Sequence, residues 1–164
     1  MRAPRWGLVG RVDPLLDIYV DADGCPVKDE IYRVARRHGL KTYVVSNSRM
    51  STPLDENIEQ VVVPGRFDAA DDWIAERIGP HDIAITADIP LAARCLEKGA
   101  KVISPKGIPF TEDSIGDALA SRELMTQLRA AGLVSGGPAP MAKPDRSRFL
   151  AGLEDAIRAA GRAR

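Results

Sequence analysis

Short β-branched runs that alternate with helically patterned stretches between residues 17 and 104 limit the fold more than any other feature of this chain. The runs fall at 17–20, 42–45, 60–63, 83–86 and 101–104. They are almost continuously apolar, as strands covered on both faces tend to be. The intervals between them supply the covers. From Val27, apolar residues recur at Ile31, Val34 and Ala35 until Gly39, and Pro26 suits the first turn of that helix because its missing N–H would lack a partner there. A second helix is expected over 69–78, with Asp68 as its cap and Asp71 and Asp72 in the first turn, where the positive end of the helix dipole favours them. A third starts beside Pro90, carries Leu91, Ala92, Cys95 and Leu96 on one face and stops at Gly99. This alternation predicts an α/β fold with a mainly parallel sheet of about five strands and helices on both faces.

After the fifth run the pattern changes. Thr111 to Ser114 reads as a helix start, followed by an apolar stripe of Ile115, Leu119, Leu124, Met125 and Leu128 with no strand behind it. Residues 135–144 form a Gly/Pro-rich linker. A last helix over 145–160 presents Phe149, Leu150, Leu153 and Ile157 for burial and is expected to dock as a C-terminal appendage. Residues 1–16 show no period and read as an extension without assigned function. At 164 residues, 45% of them hydrophobic, the chain suffices for one core, placed at 17–134.

Several function classes drop out. No apolar run approaches the roughly 20 residues of a membrane span, and the start MRAPRWGLVG lacks the features of a secretion signal, so a cytoplasmic protein with no membrane partner is expected. Cys25 and Cys95 make no CxxC pair and read as free thiols. Formal net charge is zero. Residues 17–135 hold 14 Lys and Arg against 19 Asp and Glu, while 136–164 hold 6 against 3. A general basic surface for nucleic acid is therefore absent, and a polyanion would need a local basic rim or a metal ion to offset the acidic centre.

The chemistry gathers where strands end. Ligands of open α/β sheets bind outside the carboxyl ends of the strands. Asp21 and Asp23 follow the first run, Ser46 and Asn47 the second, Asp68, Asp71 and Asp72 the third, and Asp88 the fourth. Carboxylates crowded on one edge repel by about 1–4 kcal/mol per close pair, a penalty that a divalent cation removes. Oxygen donors without His or Cys select a hard ion, Mg²⁺ or Mn²⁺. Such an ion could activate water for phosphoryl displacement. Each acid also has a structural reading. Asp68 and Asp71 could cap a helix, Asp72 could lie on a solvated face, and Asp21, Asp23 and Asp88 could serve turns or caps. Lys28, Arg49, Arg66 and Lys106 flank strand ends and could meet a phosphate. Cys25, ahead of a helix, could be an activated thiol, but His38 and His81 read as surface residues rather than as its base.

The segments IYVDADGCPVKDEI, VVSNS, DAADDWIAERI, DIAITADIPLAARCLEKGAKVISPKG, DALASRELMTQLR and DRSRFL, in order over about residues 17–158, resemble the YaiI/YqxD family of uncharacterised bacterial proteins. That family is grouped with PIN-like domains, three-layer α/β/α folds that include metal-dependent nucleases. The resemblance implies acidic ligands after the first strand, in a following helix and in a T-x-D turn after the fourth strand. These map onto Asp21, Asp71 or Asp72, and Asp88, with Asp23 an added ligand or a water-orienting group. Ser46, Asn47, Lys28 and Lys106 would contact substrate, RNA or DNA. The chain departs from the PIN-like pattern at the end of the fifth run, where Ser104-Pro105-Lys106 stands in place of another acid. Two alternatives share the same letters. The sequence D-x-D-G at Asp21 to Gly24 with Ser46-Asn47 resembles haloacid-dehalogenase-type phosphatases, in which Asp21 would be a covalent nucleophile, although their late acidic pair is missing. A PIN-like scaffold without activity, binding nucleic acid or protein, is the other.

Overall fold

The computed structural model describes residues 16–66, 68–133 and 141–162. Of the expected extension only Leu16 lies within them, and residues 135–140 of the expected linker lie outside. β1 (Asp17–Asp21), β2 (Lys41–Ser46), β3 (Ile58–Val62), β4 (Ile83–Ile85) and β5 (Lys101–Ile103) pair in parallel. A further short strand, β6 (Pro109–Phe110), adds antiparallel to β5, so the sheet has six strands in the order β3-β2-β1-β4-β5-β6. The sequence holds no period for so short a strand.

Period-two alternation sorts the strand residues between two faces. Ile18, Val20, Ala22, Ile83 and Ile85 pack on one side with α1 (Lys28–His38) and α5 (Lys143–Arg162). Tyr19, Val45 and Ala84 pack on the other with α2 (Ala69–Arg77) and α3 (Ile89–Glu97), and α4 (Glu112–Ala130) lies against α3. The result is a three-layer α/β/α arrangement. On the second face Tyr19 and Tyr43 stack with ring centroids 5.0 Å apart, and Trp73 of α2 tilts against both.

The last helix is built into this core. Phe149 and Leu153 are fully buried under the sheet, with Leu150 partly so. Arg37 and His38 of α1 both reach Glu154, and the guanidinium of Arg146 donates to the Pro26 carbonyl at 2.8 Å. Gly107 and Gly152 permit backbone-to-backbone contact between the β5–β6 turn and α5; a Cβ at Gly152 would lie 2.5 Å from the Gly107 carbonyl oxygen.

Several local expectations are corrected. α1 begins at Lys28, after a turn in which Gly24 takes φ 78°, so Pro26 precedes the helix instead of starting it. β3 is half-exposed along most of its length because it forms the sheet's outer edge, contrary to the fully buried strand its valines suggest. The stripe on α4 stays largely outside the core: that helix has no buried residue, and Leu124 is 55% exposed. Its start does conform, with Thr111 and Ser114 forming a reciprocal capping box. No described helix is long and apolar enough to cross a membrane.

Candidate functional site

The chain builds outward from β1 through β2 to β3 on one side and from β4 through β5 to β6 on the other. The carboxyl ends of β1 and β4 therefore flank the point where the winding reverses, the usual crevice of an open parallel sheet. Asp21 ends β1 and, two residues beyond Tyr19, points to the α2/α3 face. Thr86 follows β4, two residues beyond Ala84, and points the same way. Its hydroxyl donates to Asp21 Oδ2 at 2.7 Å and accepts the Asp88 backbone N–H at 2.9 Å. Asp88 in turn caps α3, its Oδ1 accepting the Leu91 N–H at 2.9 Å. Capping and proximity to Asp21 are thus compatible roles for one carboxylate.

α2 supplies the third acid. Asp71 stands three, four and seven residues before the buried Ile74, Ala75 and Ile78, so it extends the apolar stripe at the end of the helix nearest the crevice. Burial, followed by the charges of Asp21 and Asp88 and a hydrogen bond with Asp88, pushes its carboxyl up to about 7. Raised this far, the Asp71 carboxyl keeps a proton for a large part of the time near neutral pH, beside the charges of Asp21 and Asp88. Asp21 is also raised, mainly by burial, with the Thr86 hydroxyl acting in the opposite direction.

Asp72, one residue on, is rotated away. Its two oxygens take Arg66 Nη2 at 2.6 Å and Arg94 Nη1 at 2.8 Å, and the Arg94 bond above all holds its carboxyl below the ordinary range. Helix geometry thus separates adjacent residues that the sequence left as alternatives. Asp68 occupies the N-cap position of α2 but makes no side-chain cap bond; its carboxylate accepts from Arg66 Nε at 3.0 Å instead.

The other expected site residues divide. Asp23 is exposed and accepts the Asn47 backbone N–H at 2.8 Å, tying the loop after β2 to the loop after β1. Ser46 is fully buried and donates to the Ser48 carbonyl at 2.6 Å. Lys28 donates to the Cys25 carbonyl at 2.9 Å. Lys106 lies half-exposed in the β5–β6 turn, at the same sheet edge as the acids. Cys25 is buried, and burial raises its thiol, as it raises that of Cys95 to about 12, so neither is primed as a thiolate. His38 does not lie free on the surface; it pairs with Glu154 at 2.9 Å. Thr86 and Arg94 are the contributors that residue-by-residue reading missed. Thr86 had a signal in the T-x-D turn, whereas Arg94 had none beyond lying on the helix that follows Asp88.

Among the described residues, no three His, Cys, Asp or Glu side chains are already drawn together as a metal cage. Asp21, Asp71 and Asp88 nevertheless feel one another's charge. Their all-oxygen donor set fits the chemistry of a hard divalent cation. Cavities of about 580 Å³ beside α1 and 590 Å³ between β5 and α5 are lined by none of these acids. The acidic edge belongs to neither of these hollows.

The profile of a family described as uncharacterised, YaiI/YqxD, matches residues 19–159. The chain is 58% identical over 150 residues to a UPF0178 protein of Rhodospirillum rubrum, covering 91% of this chain and all of that one. It is 59% identical over 145 residues to a UPF0178 protein of Parvibaculum lavamentivorans, covering 88% and 95%. A UPF0178 protein of Rhodopseudomonas palustris is 57% identical over 141 residues, covering 86% and 91%. No solved structure matches the chain.

Proposed function

The chain belongs to the YaiI/YqxD family, and we propose that it is a cytoplasmic phosphodiesterase of the PIN-like type, acting on RNA or DNA with Mg²⁺ or Mn²⁺. The observation that carries this reading is the placement of Asp21 and Asp88 at the crevice between β1 and β4, joined through Thr86, with Asp71 near enough for its carboxyl to be raised by both charges. Asp21, Asp71 and Asp88 would hold the ion. When bound, it would supply positive charge to the phosphate and acidify a water. Thr86 keeps Asp21 turned toward the crevice. Asp23, exposed beside the loop after β2, orients a water with the oxygen not taken by Asn47. Asn47 and Lys106 stand at the same edge to meet phosphate oxygens.

The covalent-aspartate alternative requires an open Ser46. Ser46 is buried with its hydroxyl spent on Ser48. This observation favours the metal reading. The test is incubation of a panel of RNA and DNA substrates with Mn²⁺, using identically purified Asp21→Asn protein as the control. Cleavage well above the control is expected. Equal cleavage by the two proteins, or none by either, overturns the reading.

A further inference from the structure

We propose that Asp72 holds Arg66 and Arg94 as a paired guanidinium clamp for the phosphate backbone of a nucleic-acid strand lying across the acidic crevice. The inference rests on reading that crevice as a phosphodiesterase site, and it names what brings the polyanion there.

Arg66 lies in the turn between β3 and α2, and Arg94 lies on α3. They come from separate elements and meet on one carboxylate, each taking a different oxygen of Asp72, at 2.6 and 2.8 Å. Asp68 fixes the Nε edge of Arg66 from a second side at 3.0 Å. Each guanidinium has five N–H donors. The bonds to Asp68 and Asp72 occupy two from Arg66 and one from Arg94, so each keeps donors for a further partner. Both side chains are open to solvent, 71% and 45% exposed.

Stability alone accounts poorly for this arrangement. Exposed ion pairs contribute little, and holding two long side chains in one geometry costs rotamer entropy. What the pairing does provide is two held, solvent-exposed guanidiniums with donors left over, the group that binds phosphate best. Their position supplies the need for them. Asp72 is the immediate neighbour of Asp71, and Arg94 lies within electrostatic reach of the Asp71 carboxyl. Three acids in the crevice would repel a phosphodiester, and a cation could offset only part of that charge. Asp68 and Asp72 balance the charge of the two guanidiniums, so what the cluster offers a phosphate beside those acids is positioned N–H donors rather than a net positive field. Arg66 and Arg94 come from different elements and are both exposed, which suits successive phosphates of an extended strand.

The test is fluorescence anisotropy in EDTA with short labelled oligouridylate in one arm and oligothymidylate in the other, using the full chain. Arg66→Gln and Arg94→Gln should each weaken binding roughly eightfold at 0.1 M salt and lower the log–log salt slope by about one. Arg94→Lys should weaken it less. Asp72→Asn separates a clamp from bulk charge: loss of an acid should tighten polyanion binding, whereas loss of the clamp's anchor should weaken it. Circular dichroism and unfolding midpoints confirm that each variant is folded, and Arg94→Lys carries the test where Asp72→Asn is not. Unchanged salt slopes in both glutamine variants, or tighter binding by Asp72→Asn, overturn the clamp. Competition by a mononucleotide as strong as by the oligonucleotide overturns the assignment of a strand. Because no step needs turnover, clamp-dependent binding without Mn²⁺-supported cleavage would reject the phosphodiesterase reading alone. Cleavage with unaltered binding in the arginine variants would reject the clamp alone.

Discussion

Thr86 donates its hydroxyl to Asp21 across the junction of β4 and β1, 2.7 Å away, while the same oxygen accepts the backbone N–H of Asp88. One buried side chain therefore sets the orientation of the first acid and the turn that carries the second. Thr86→Val keeps the shape and removes both bonds. We expect a loss of about 1–2 kcal/mol in urea unfolding at pH 8. Asp21 should also titrate higher than in the native protein, because the Thr86 hydroxyl now lowers its pKa. Carboxyl NMR titration checks the direction; an Asp21 that titrates unchanged would contradict the role given to Thr86.

Asp71 makes stability fall as pH rises. Its carboxyl titrates at about 7 in the folded protein against 3.8 for the ordinary group. Between these values the unfolded chain loses the proton and the folded protein keeps it, so this contribution to folding is complete below about pH 4 and lost as pH climbs through 7. Asp71→Asn removes this share of the dependence and leaves that of Asp21, whose carboxyl is also raised. With solvent screening allowed for, the variant should gain about 1–2 kcal/mol on the native protein between pH 4 and pH 8. Parallel pH–stability curves for the two proteins would count against the raised Asp71 carboxyl.

Divalent cations should reverse that trend. Mg²⁺ or Mn²⁺ competes with the proton on Asp71, so its stabilisation should grow with pH through about 7. At a concentration of about 100 times Kd the gain in folding free energy is ~2.7 kcal/mol. Asp21→Asn and Asp88→Asn should lose most of it. Thermal unfolding across a pH and Mn²⁺ matrix measures this, and equal shifts in all three proteins would indicate binding elsewhere.

Gly152 provides a test of the scaffold apart from the chemistry. A methyl group there would press on the Gly107 carbonyl, and Gly107 itself takes φ 83° against the Arg148 backbone. Gly152→Ala should cost about 1–3 kcal/mol by forcing α5 off the β5–β6 turn. The cation-induced shift of the surviving folded protein should stay native, because α5 packs on the face of the sheet opposite Asp21 and Asp71.

What local periodicity encodes could be read without coordinates: the strand and helix alternation, the parallel sheet, the acid that ends β1 and the capped turn at Asp88. These follow from hydrophobic period and from the chemistry of strand and helix ends, which depend on near neighbours in the chain. Even the bias toward Asp71 is present in its spacing from Ile74, Ala75 and Ile78, although the adjoining Asp72 obscures it. Short strands such as β6 and the edge position of β3 were not legible, since valines read alike at the centre and the rim of a sheet.

The tertiary structure decided which of these pieces meet. Only strand order sets β1 beside β4 and thereby brings Thr86 to Asp21 across 65 positions of sequence. Only the packed rotation of α2 turns Asp71 into the crevice and Asp72 out to Arg66 and Arg94. Burial withdrew Ser46 and the thiol of Cys25 from chemistry that their letters alone allowed. The sequence by itself determined which residues stand at strand and helix ends. Their neighbours across the sheet, and so the charge each one feels, were fixed by long-range packing that no local pattern records.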